Sequence, residues 1–159
     1  MNKAKKIPIQ QLRLIVYDFD GVMTDNRVLT MEDGREGVWV SRADGLGIEL
    51  IKNKGIPQII LSTETNKVVK ARAKKVGLPI LMGVKDKRAT LTQYCQKKRL
   101  PLSSILYIGN DVNDLEAMKL VGFPIAPADA HPTICKMANK VLQTRGGEGV
   151  IRELADLLN

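Results

Sequence analysis

The sequence predicts an α/β fold: a single parallel sheet flanked by helices, with a β-hairpin inserted after the first strand and no cap domain. Short apolar runs alternate with segments of helical periodicity, which is typical of parallel strands joined by crossover helices. An Asp-Gly turn between two short alternating runs predicts the hairpin. The 159 residues suffice for one domain, predicted over 1–159, and leave no room for a second.

The first third of the chain holds the leading strand and the hairpin. Residues 14–17 are the apolar run Leu-Ile-Val-Tyr, which predicts a buried strand that ends at two acids. Residues 27–31 and 37–40 flank a turn at 32–35 and are predicted to form the two arms of the hairpin.

The remaining elements follow in alternation. We predict helices that end at Gly55 and that cover 67–76, 85–98, 115–120, 133–138 and 148–158, and strands at 57–61, 78–82, 104–109, 123–126 and 140–142. In the helix over 85–98, the apolar residues Ala89, Leu91 and Tyr94 are predicted to face the core.

Composition excludes several classes of function. The net charge is +8, but aromatic residues make up only 4% and there is no recognition motif, so we expect no nucleic acid partner. No apolar run approaches the roughly 20 residues that span a bilayer, and residues 1–10 lack the apolar core of a secretion signal. Cys95 and Cys135 form no CxxC pair, so we expect reduced thiols and a cytoplasmic protein.

Polar residues follow four of the predicted strands. These residues are Asp18 and Asp20, then Ser62, Thr63 and Glu64, then Lys87, and finally Asn110, Asp111 and Asp114. Because ligands of parallel sheets bind outside the carboxyl ends of the strands, we expect these side chains to form one site.

The residue types at this edge indicate phosphoryl transfer. Several carboxylates would repel one another and an anionic substrate, and an oxygen-preferring cation such as Mg²⁺ relieves that repulsion and bridges to phosphate. An Asp at a strand end can act as a nucleophile, while Lys87 and the Ser62 hydroxyl can hold phosphate oxygens. The sequence therefore predicts an aspartyl-phosphate intermediate.

The same residues resemble the four motifs of haloacid dehalogenase-superfamily phosphatases, which have a Rossmann-like sheet. The matching segments are Asp18-Phe19-Asp20-Gly21-Val22-Met23-Thr24, Ser62, Lys87 and Gly109-Asn110-Asp111-Val112-Asn113-Asp114. The resemblance implies that Asp18 is the nucleophile and a metal ligand, and that Asp20 is the general acid/base and gives its backbone carbonyl to the metal. It also implies that Ser62 and Lys87 bind phosphate, and that Asn110 completes the Mg²⁺ site with support from Asp111 and Asp114.

The hairpin, the absence of room for a cap and the segment 145–149, Arg-Gly-Gly-Glu-Gly, narrow the resemblance. They are similar to the capless 3-deoxy-manno-octulosonate 8-phosphate phosphatases and their sialic-acid relatives. Members of that subfamily are typically tetramers in which a neighbouring subunit helps to close the site. The resemblance therefore implies a homotetramer, and the glycine-rich segment would fit that arrangement.

The substrate prediction depends on the stretch 62–66, Ser-Thr-Glu-Thr-Asn. Octulosonate phosphatases usually carry Ser-Gly-Arg here, so the stretch is more similar to phosphatases of nine-carbon sialic-type acids and to phosphatase-like domains joined to some acylneuraminate cytidylyltransferases. That resemblance implies Glu64, Arg72 and Lys75 as substrate-binding residues. Thr63 of the same stretch and Arg42, before Asp44-Gly45, are further candidates for substrate binding. We predict a nonulosonate 9-phosphate as substrate, with 3-deoxy-manno-octulosonate 8-phosphate as the alternative.

Asn110 departs from the family pattern, in which many members carry Asp. Asn offers a neutral oxygen to Mg²⁺ and removes one formal charge, so we expect weaker metal binding. Two further alternatives are a non-catalytic phosphatase-fold module that partners a cytidylyltransferase, and a signalling receiver domain. Receivers lack the Asp-x-Asp-Gly turn with its hairpin, so the phosphatase is the preferred interpretation.

Overall fold

The computed structural model describes residues 7–158, which form a six-stranded sheet, helices on both of its faces and a separate two-stranded hairpin. The strands of the sheet are β1 (Leu14–Tyr17), β4 (Gln58–Leu61), β5 (Ile80–Leu81), β6 (Ile105–Ile108), β7 (Phe123–Ala126) and β8 (Lys140–Val141). Their order in the sheet is β5-β4-β1-β6-β7-β8, and every neighbouring pair is parallel. The predicted α/β class is confirmed, and residues 7–158 include no cap domain.

Six α-helices connect or follow the strands. They are α1 (Arg42–Asn53), α2 (Lys67–Val76), α3 (Lys87–Lys98), α4 (Leu115–Met118), α5 (Pro132–Met137) and α6 (Val150–Leu157). Short 3₁₀ helices lie at Ile9–Gln11, Leu102–Ser104 and Val112–Asp114. None of the helices between residues 7 and 158 is long and apolar enough to cross a membrane.

Two apolar layers enclose the sheet, because side chains alternate along each strand. In β1, Ile15 and Tyr17 belong to the layer that contains the buried residues of α1, α2 and α6. Leu14 and Val16 belong to the opposite layer, with α3, α4 and α5. The helices therefore divide three and three between the faces, which leaves the carboxyl edge of the sheet uncovered for a site.

The hairpin is shorter than the sequence predicts. Its strands are β2 (Leu29–Thr30) and β3 (Glu36–Gly37), which pair antiparallel with Leu29 opposite Gly37. Gly34 adopts φ +80° in the connecting turn, a conformation that glycine enters without steric cost. A single bridge between Thr24 and Val40 joins the base of the hairpin to the loop after β1.

The residues that cap α2 and α3 explain which of the predicted helix bounds are correct. The predicted bounds of α2 are confirmed, because the Asn66 side chain caps its start and Gly77 ends it at φ +69°. Helix α3 begins at Lys87 rather than at 85, since Asp86 is its N-cap. The prediction that Ala89 faces the core is wrong: the buried positions are Lys87, Leu91 and Cys95, which are four residues apart along one face.

Residues 1–6 and 159 lie outside the described part of the chain. The predicted single domain over 1–159 and the expected absence of a secretion signal in 1–10 depend partly on them, and both stay predictions.

Candidate active site

The predicted polar clusters meet where three central strands end. β1 lies between β4 and β6 in the sheet, at the point where the strand order reverses, which is where ligands bind in open α/β sheets. The backbone N–H of Asp18 donates to the carbonyl of Ile108 at 2.9 Å, so the loops after β1 and β6 start side by side. The first and last clusters are therefore brought together by the sheet register.

Lys87 connects those two clusters from α3. Its Nζ donates to Oδ1 of Asp18 at 2.6 Å and to Oδ1 of Asp114 at 2.7 Å. Lys87 is 3% exposed and Asp114 is fully buried, so both bonds are shielded from water. A cation in the first turn of a helix is disfavoured by the helix dipole, and the two carboxylates offset that cost.

Asp114 accepts further hydrogen bonds that fix its orientation. The hydroxyl of Tyr107 donates to its Oδ1 at 2.8 Å, and the backbone N–H of Asn110 donates to its Oδ2 at 2.9 Å. Gly109 permits this approach, because a Cβ there would lie 2.6 Å from the Asp114 Cβ. Tyr107 was not predicted as a site residue, because the apolar strand pattern indicates its burial but not its partner.

Burial and charge determine the protonation of this cluster. Burial, followed by the negative charge of Asp114, raises the pKa of Asp18 to about 8 against the opposing effect of Lys87. Burial disfavours the charged form of Lys87, but the two carboxylates outweigh it and the pKa of Lys87 is raised. Lys87 is therefore a cation at neutral pH, and a further positive charge would favour the ionised form of Asp18.

Asp20 lies half-buried above Asp18, on the loop that follows β1. The hydroxyl of Thr24 donates to its Oδ1 at 3.4 Å and accepts from the backbone N–H of Gly21 at 3.2 Å. Burial and then the nearby charge of Glu64 raise the pKa of Asp20, against the opposing effects of Thr24 and Lys87. A carboxyl group with a raised pKa suits proton donation, and Thr24 is a partner that the sequence analysis missed.

A small cavity of about 90 Å³ opens at this edge. It is lined by Asp18, Asp20, Asn26, Thr63, Asn110, Asp111 and Asn113. Ser62 is not among these lining residues but directly precedes Thr63; it is 1% exposed, and its Oγ accepts from the backbone N–H of Glu64 at 3.1 Å. Five of the predicted site residues thus share one cavity, and Asn26 and Asn113 join them without having been predicted.

The oxygen atoms around this cavity are suitable ligands for a hard divalent cation. Lys87 and the N–H of Phe19 both donate to Oδ1 of Asp18, and no hydrogen bond from residues 7–158 reaches its Oδ2. The Asn110 side chain packs directly over Gly21, since a Cβ at Gly21 would overlap its amide group. Carboxylate, amide and backbone oxygens are the ligands that Mg²⁺ prefers. Residues 7–158 contain no cluster of three or more His, Cys, Asp or Glu arranged around a metal position, so Asp18 would need the Asn110 amide and a backbone oxygen as partners.

The glycine-rich segment 145–149 packs against the loop after β1 of the same chain. The N–H of Gly147 donates to the carbonyl of Val22 at 3.1 Å, and a Cβ at Gly146 would overlap the carbonyl of Gly21. Glycine is required there because two backbones approach closely. The segment therefore supports the loop that carries Asp20.

A second cavity of about 250 Å³ adjoins the first at Asp20 and Asn26. It lies between the hairpin and α2, and its walls are Asp20, Asn26, Arg27, Val28, Glu36, Val38, Glu64, Asn66, Val68 and Val69. Among the predicted substrate-binding residues, Glu64 is the one that lies in this cavity. The hairpin residues were not predicted as site residues, because their contact with α2 depends on tertiary structure.

Three predicted substrate-binding residues lie elsewhere. Arg42, Arg72 and Lys75 line a separate cavity of about 500 Å³ between α1 and α2, together with Lys52 and Lys74. Arg72 donates from Nη2 to the carbonyl of Ser41 at 2.8 Å, and its buried Nε has no partner among residues 7–158. Within one chain, this basic cavity is distinct from the two cavities at Asp20.

Comparisons with known proteins give consistent results. Residues 49–154 match the model of a family described as haloacid dehalogenase-like hydrolase. The 3-deoxy-D-manno-octulosonate 8-phosphate phosphatase of Escherichia coli K12 is 31% identical over 150 residues, which cover 94% of this chain and 80% of that protein.

Solved structures of other proteins have a similar fold over nearly the full length of this chain. A structure described only as a HAD family hydrolase from Streptomyces avermitilis is 44% identical with a TM-score of 0.94, covering 97% of this chain and 88% of that one. The 3-deoxy-D-manno-octulosonate 8-phosphate phosphatase from Moraxella catarrhalis, in complex with magnesium, phosphate and KDO, is 29% identical with a TM-score of 0.90. That match covers 94% of this chain and 87% of the Moraxella chain.

Proposed function

The chain belongs to the haloacid dehalogenase-like hydrolases and is a phosphoric monoester hydrolase, and we propose that it is a Mg²⁺-dependent phosphatase of a sugar-acid phosphate. Family membership excludes the receiver-domain alternative. The observation that carries the proposal is the buried contact of Lys87 with Asp114 and with Asp18, which lines the same cavity as Asp20.

We assign the two acids of the first motif separate roles. A carboxylate oxygen of Asp18 attacks phosphorus, and the bond from phosphorus to the ester oxygen breaks. Asp20 gives its proton to that oxygen, and the alcohol leaves. Asp20 then takes a proton from a water molecule that attacks the aspartyl-phosphate, which releases inorganic phosphate and restores Asp18.

The remaining residues of the cluster hold the phosphate and the nucleophile. Lys87 already donates to Asp18, so its ammonium lies beside the phosphorus that Asp18 attacks. Ser62, at the end of β4, and Thr63, in the cavity wall, bring hydroxyl groups to the phosphate oxygens. Asp114 acts through Lys87, because it fixes the direction of the ammonium.

The proposed Mg²⁺ would be held by Asp18, the backbone carbonyl of Asp20 and the Asn110 side chain, with Asp111 and Asp114 in support. When bound, it would supply positive charge that favours the ionised Asp18 and neutralises phosphate oxygens. The magnesium and phosphate in the Moraxella relative support this assignment. Asn110 gives one charge fewer than Asp, so we propose a lower metal affinity than an Asp at this position would give.

Two sugar acids are candidates for the substrate. The names of the relatives support 3-deoxy-D-manno-octulosonate 8-phosphate, which the sequence analysis gave as the alternative. The nonulosonate 9-phosphate that the sequence analysis preferred is supported by Thr63 and Glu64 in place of Gly-Arg, with Glu64 in the cavity next to Asp20. We propose the octulosonate as the first substrate to test and the nonulosonate as the second.

We propose that the protein works as a homotetramer. Val28, Leu29 and Trp39 of the hairpin region are 53%, 60% and 73% exposed, and large apolar side chains exposed together on one element are typical of an interface. In such an assembly Arg42, Arg72 and Lys75 could bind the substrate carboxylate at a neighbouring subunit's site, which they do not reach in their own chain. We further propose a cytoplasmic location, which the free thiols Cys95 and Cys135 support.

Phosphate release tests the function directly. The purified protein is incubated with octulosonate 8-phosphate or a nonulosonate 9-phosphate, with and without Mg²⁺, beside Asp18→Asn and the matched surface variant Asp156→Asn. We expect Mg²⁺-dependent release by the wild type and by Asp156→Asn, and none by Asp18→Asn. Release that Asp18→Asn retains would contradict the assignment of the nucleophile. No release from any substrate would favour the non-catalytic module.

A further inference from the structure

The cavity between the hairpin and α2 lies on the leaving-group side of the candidate active site. The smaller cavity at Asp18 has about 90 Å³, room for a phosphate group but not for a sugar acid. The larger cavity of about 250 Å³ joins it at Asp20, the residue to which we assign proton transfer to the leaving oxygen. On the proposed function, the group attached to that oxygen must therefore enter the larger cavity.

Asn66 connects the two walls of this cavity, which are α2 and the hairpin. Its Oδ1 accepts from the backbone N–H of Val68 at 3.0 Å and so caps α2, which leaves its amide N–H₂ directed away from the helix. That amide donates to Oε2 of Glu36 in β3 at 2.7 Å. Because the cap fixes which end of the amide faces the hairpin, Asn66 also fixes the position of the Glu36 carboxylate.

The charge of the walls indicates which part of a substrate they accept. Asp20, Glu36 and Glu64 place three carboxyl groups around the cavity. The positive charge of Arg27 offsets these carboxylates little, because its Nε is already paired with Asp25 at 3.0 Å. A carboxylate of the substrate would be repelled here, whereas neutral hydroxyl groups can donate hydrogen bonds to these oxygens.

We propose that Glu36, held in place by Asn66, is a specificity-determining residue that accepts a hydrogen bond from a hydroxyl group of the leaving group. One oxygen of Glu36 is occupied by Asn66, and the other receives no hydrogen bond from residues 7–158. The preferred substrate carries hydroxyl groups on the carbons next to the phosphate ester, and its acid group projects beyond this cavity.

Two variants separate this role from folding. Asn66→Asp keeps a good N-cap for α2 but loses the donor and places a negative charge against Glu36. Glu36→Ala removes the carboxylate itself. Glu32→Ala, in the exposed turn of the same hairpin, is the matched control, and thermal melting with size-exclusion chromatography verifies fold and assembly for all three.

The test compares kcat/KM for octulosonate 8-phosphate with kcat/KM for p-nitrophenyl phosphate, whose leaving group has no hydroxyl that could donate to Glu36. We expect the ratio to fall about 10- to 100-fold in Asn66→Asp and Glu36→Ala, the range expected when a hydrogen bond to a charged group is lost, and to hold in Glu32→Ala. A ratio that both variants share with the wild type overturns the role of Glu36 and leaves the phosphatase proposal intact. A wild type that hydrolyses neither compound overturns both proposals.

Discussion

Replacing Lys87 with Met tests the cluster on which the proposed function depends. The ammonium of Lys87 is the cation between two buried carboxylates, at 2.6 Å from Asp18 and 2.7 Å from Asp114. Met fills a similar volume, so the substitution removes charge and hydrogen bonds with little change in packing. Asp18 can become neutral by binding a proton, since burial and Asp114 already raise its pKa to about 8. Asp114 is then left as a buried charge without its cation.

The expected cost follows from that unpaired charge. Removing one partner of a buried ion pair costs about 3–5 kcal/mol, a large part of the roughly 5–15 kcal/mol that stabilises a domain. Adding Asp114→Asn removes the charge and leaves an amide that can still bond to the Tyr107 hydroxyl, which lies 2.8 Å from Oδ1. We therefore expect the double variant to be more stable than Lys87→Met alone by about 1–3 kcal/mol.

Urea unfolding followed by circular dichroism measures both effects. Lys97→Met, on the exposed side of α3, is the matched control and should change the free energy of unfolding by less than about 0.5 kcal/mol. Equal losses in Lys87→Met and Lys97→Met would refute the buried ion pair. A double variant Lys87→Met/Asp114→Asn that is no more stable than Lys87→Met alone would refute the reasoning about the unpaired charge.

Three other substitutions test separate parts of the structure. Asn110→Asp adds a charge at the proposed metal site, so the Mg²⁺ concentration for half-maximal activity should fall roughly tenfold; an unchanged or higher concentration would count against Asn110 as a ligand. Burial raises the pKa of Asp44 to about 6 from 3.8, so the folded protein binds more protons than the unfolded chain between these values. The free energy of unfolding should therefore fall by up to about 3 kcal/mol as the pH rises through that window. In Asp44→Asn, the urea midpoint should not show this fall with pH. Gly146→Ala forces the segment 145–149 away from the carbonyl of Gly21, so kcat should fall at least several-fold, while Glu32→Ala in the exposed hairpin turn retains it.

The sequence predicted the elements and the edge of the sheet that carries the site, because both follow from local pattern. The apolar run at 14–17 and the caps of α2 at Asn66 and Gly77 are signals within a few residues of the structure that they determine. The prediction for Ala89 failed because the helix starts at Lys87, and a lysine within a buried face contradicts the apolar rule unless its partners are known.

Hydrogen-bond partners that are brought together by the packing of separate elements could not be predicted. The bond from Tyr107 to Asp114 and the bond from Asn66 to Glu36 depend on how separate elements pack, and no spacing rule covers them. The same limit applies to the larger cavity, whose walls come from the hairpin and α2. The sequence motifs indicated the chemistry at Asp18, whereas the surroundings of the leaving group needed the three-dimensional structure.

The positions of the charges also bear on the proposed assembly. The cavity next to Asp20 carries carboxylates, and the basic residues that suit a sugar carboxylate line a different cavity of the same chain. A single chain thus supplies the proposed phosphate site and the proposed hydroxyl acceptors. Within residues 7–158, the cavity between the hairpin and α2 has no cation in its walls that is free of an acidic partner. If copies associate through Trp39 and the apolar hairpin, a neighbour can supply that cation. Trp39→Ser should then dissociate the assembly and raise KM for the sugar-acid phosphate far more than for p-nitrophenyl phosphate. If a monomeric variant instead shows the same fold-change in KM for both compounds, a neighbour's basic residues are not needed for binding.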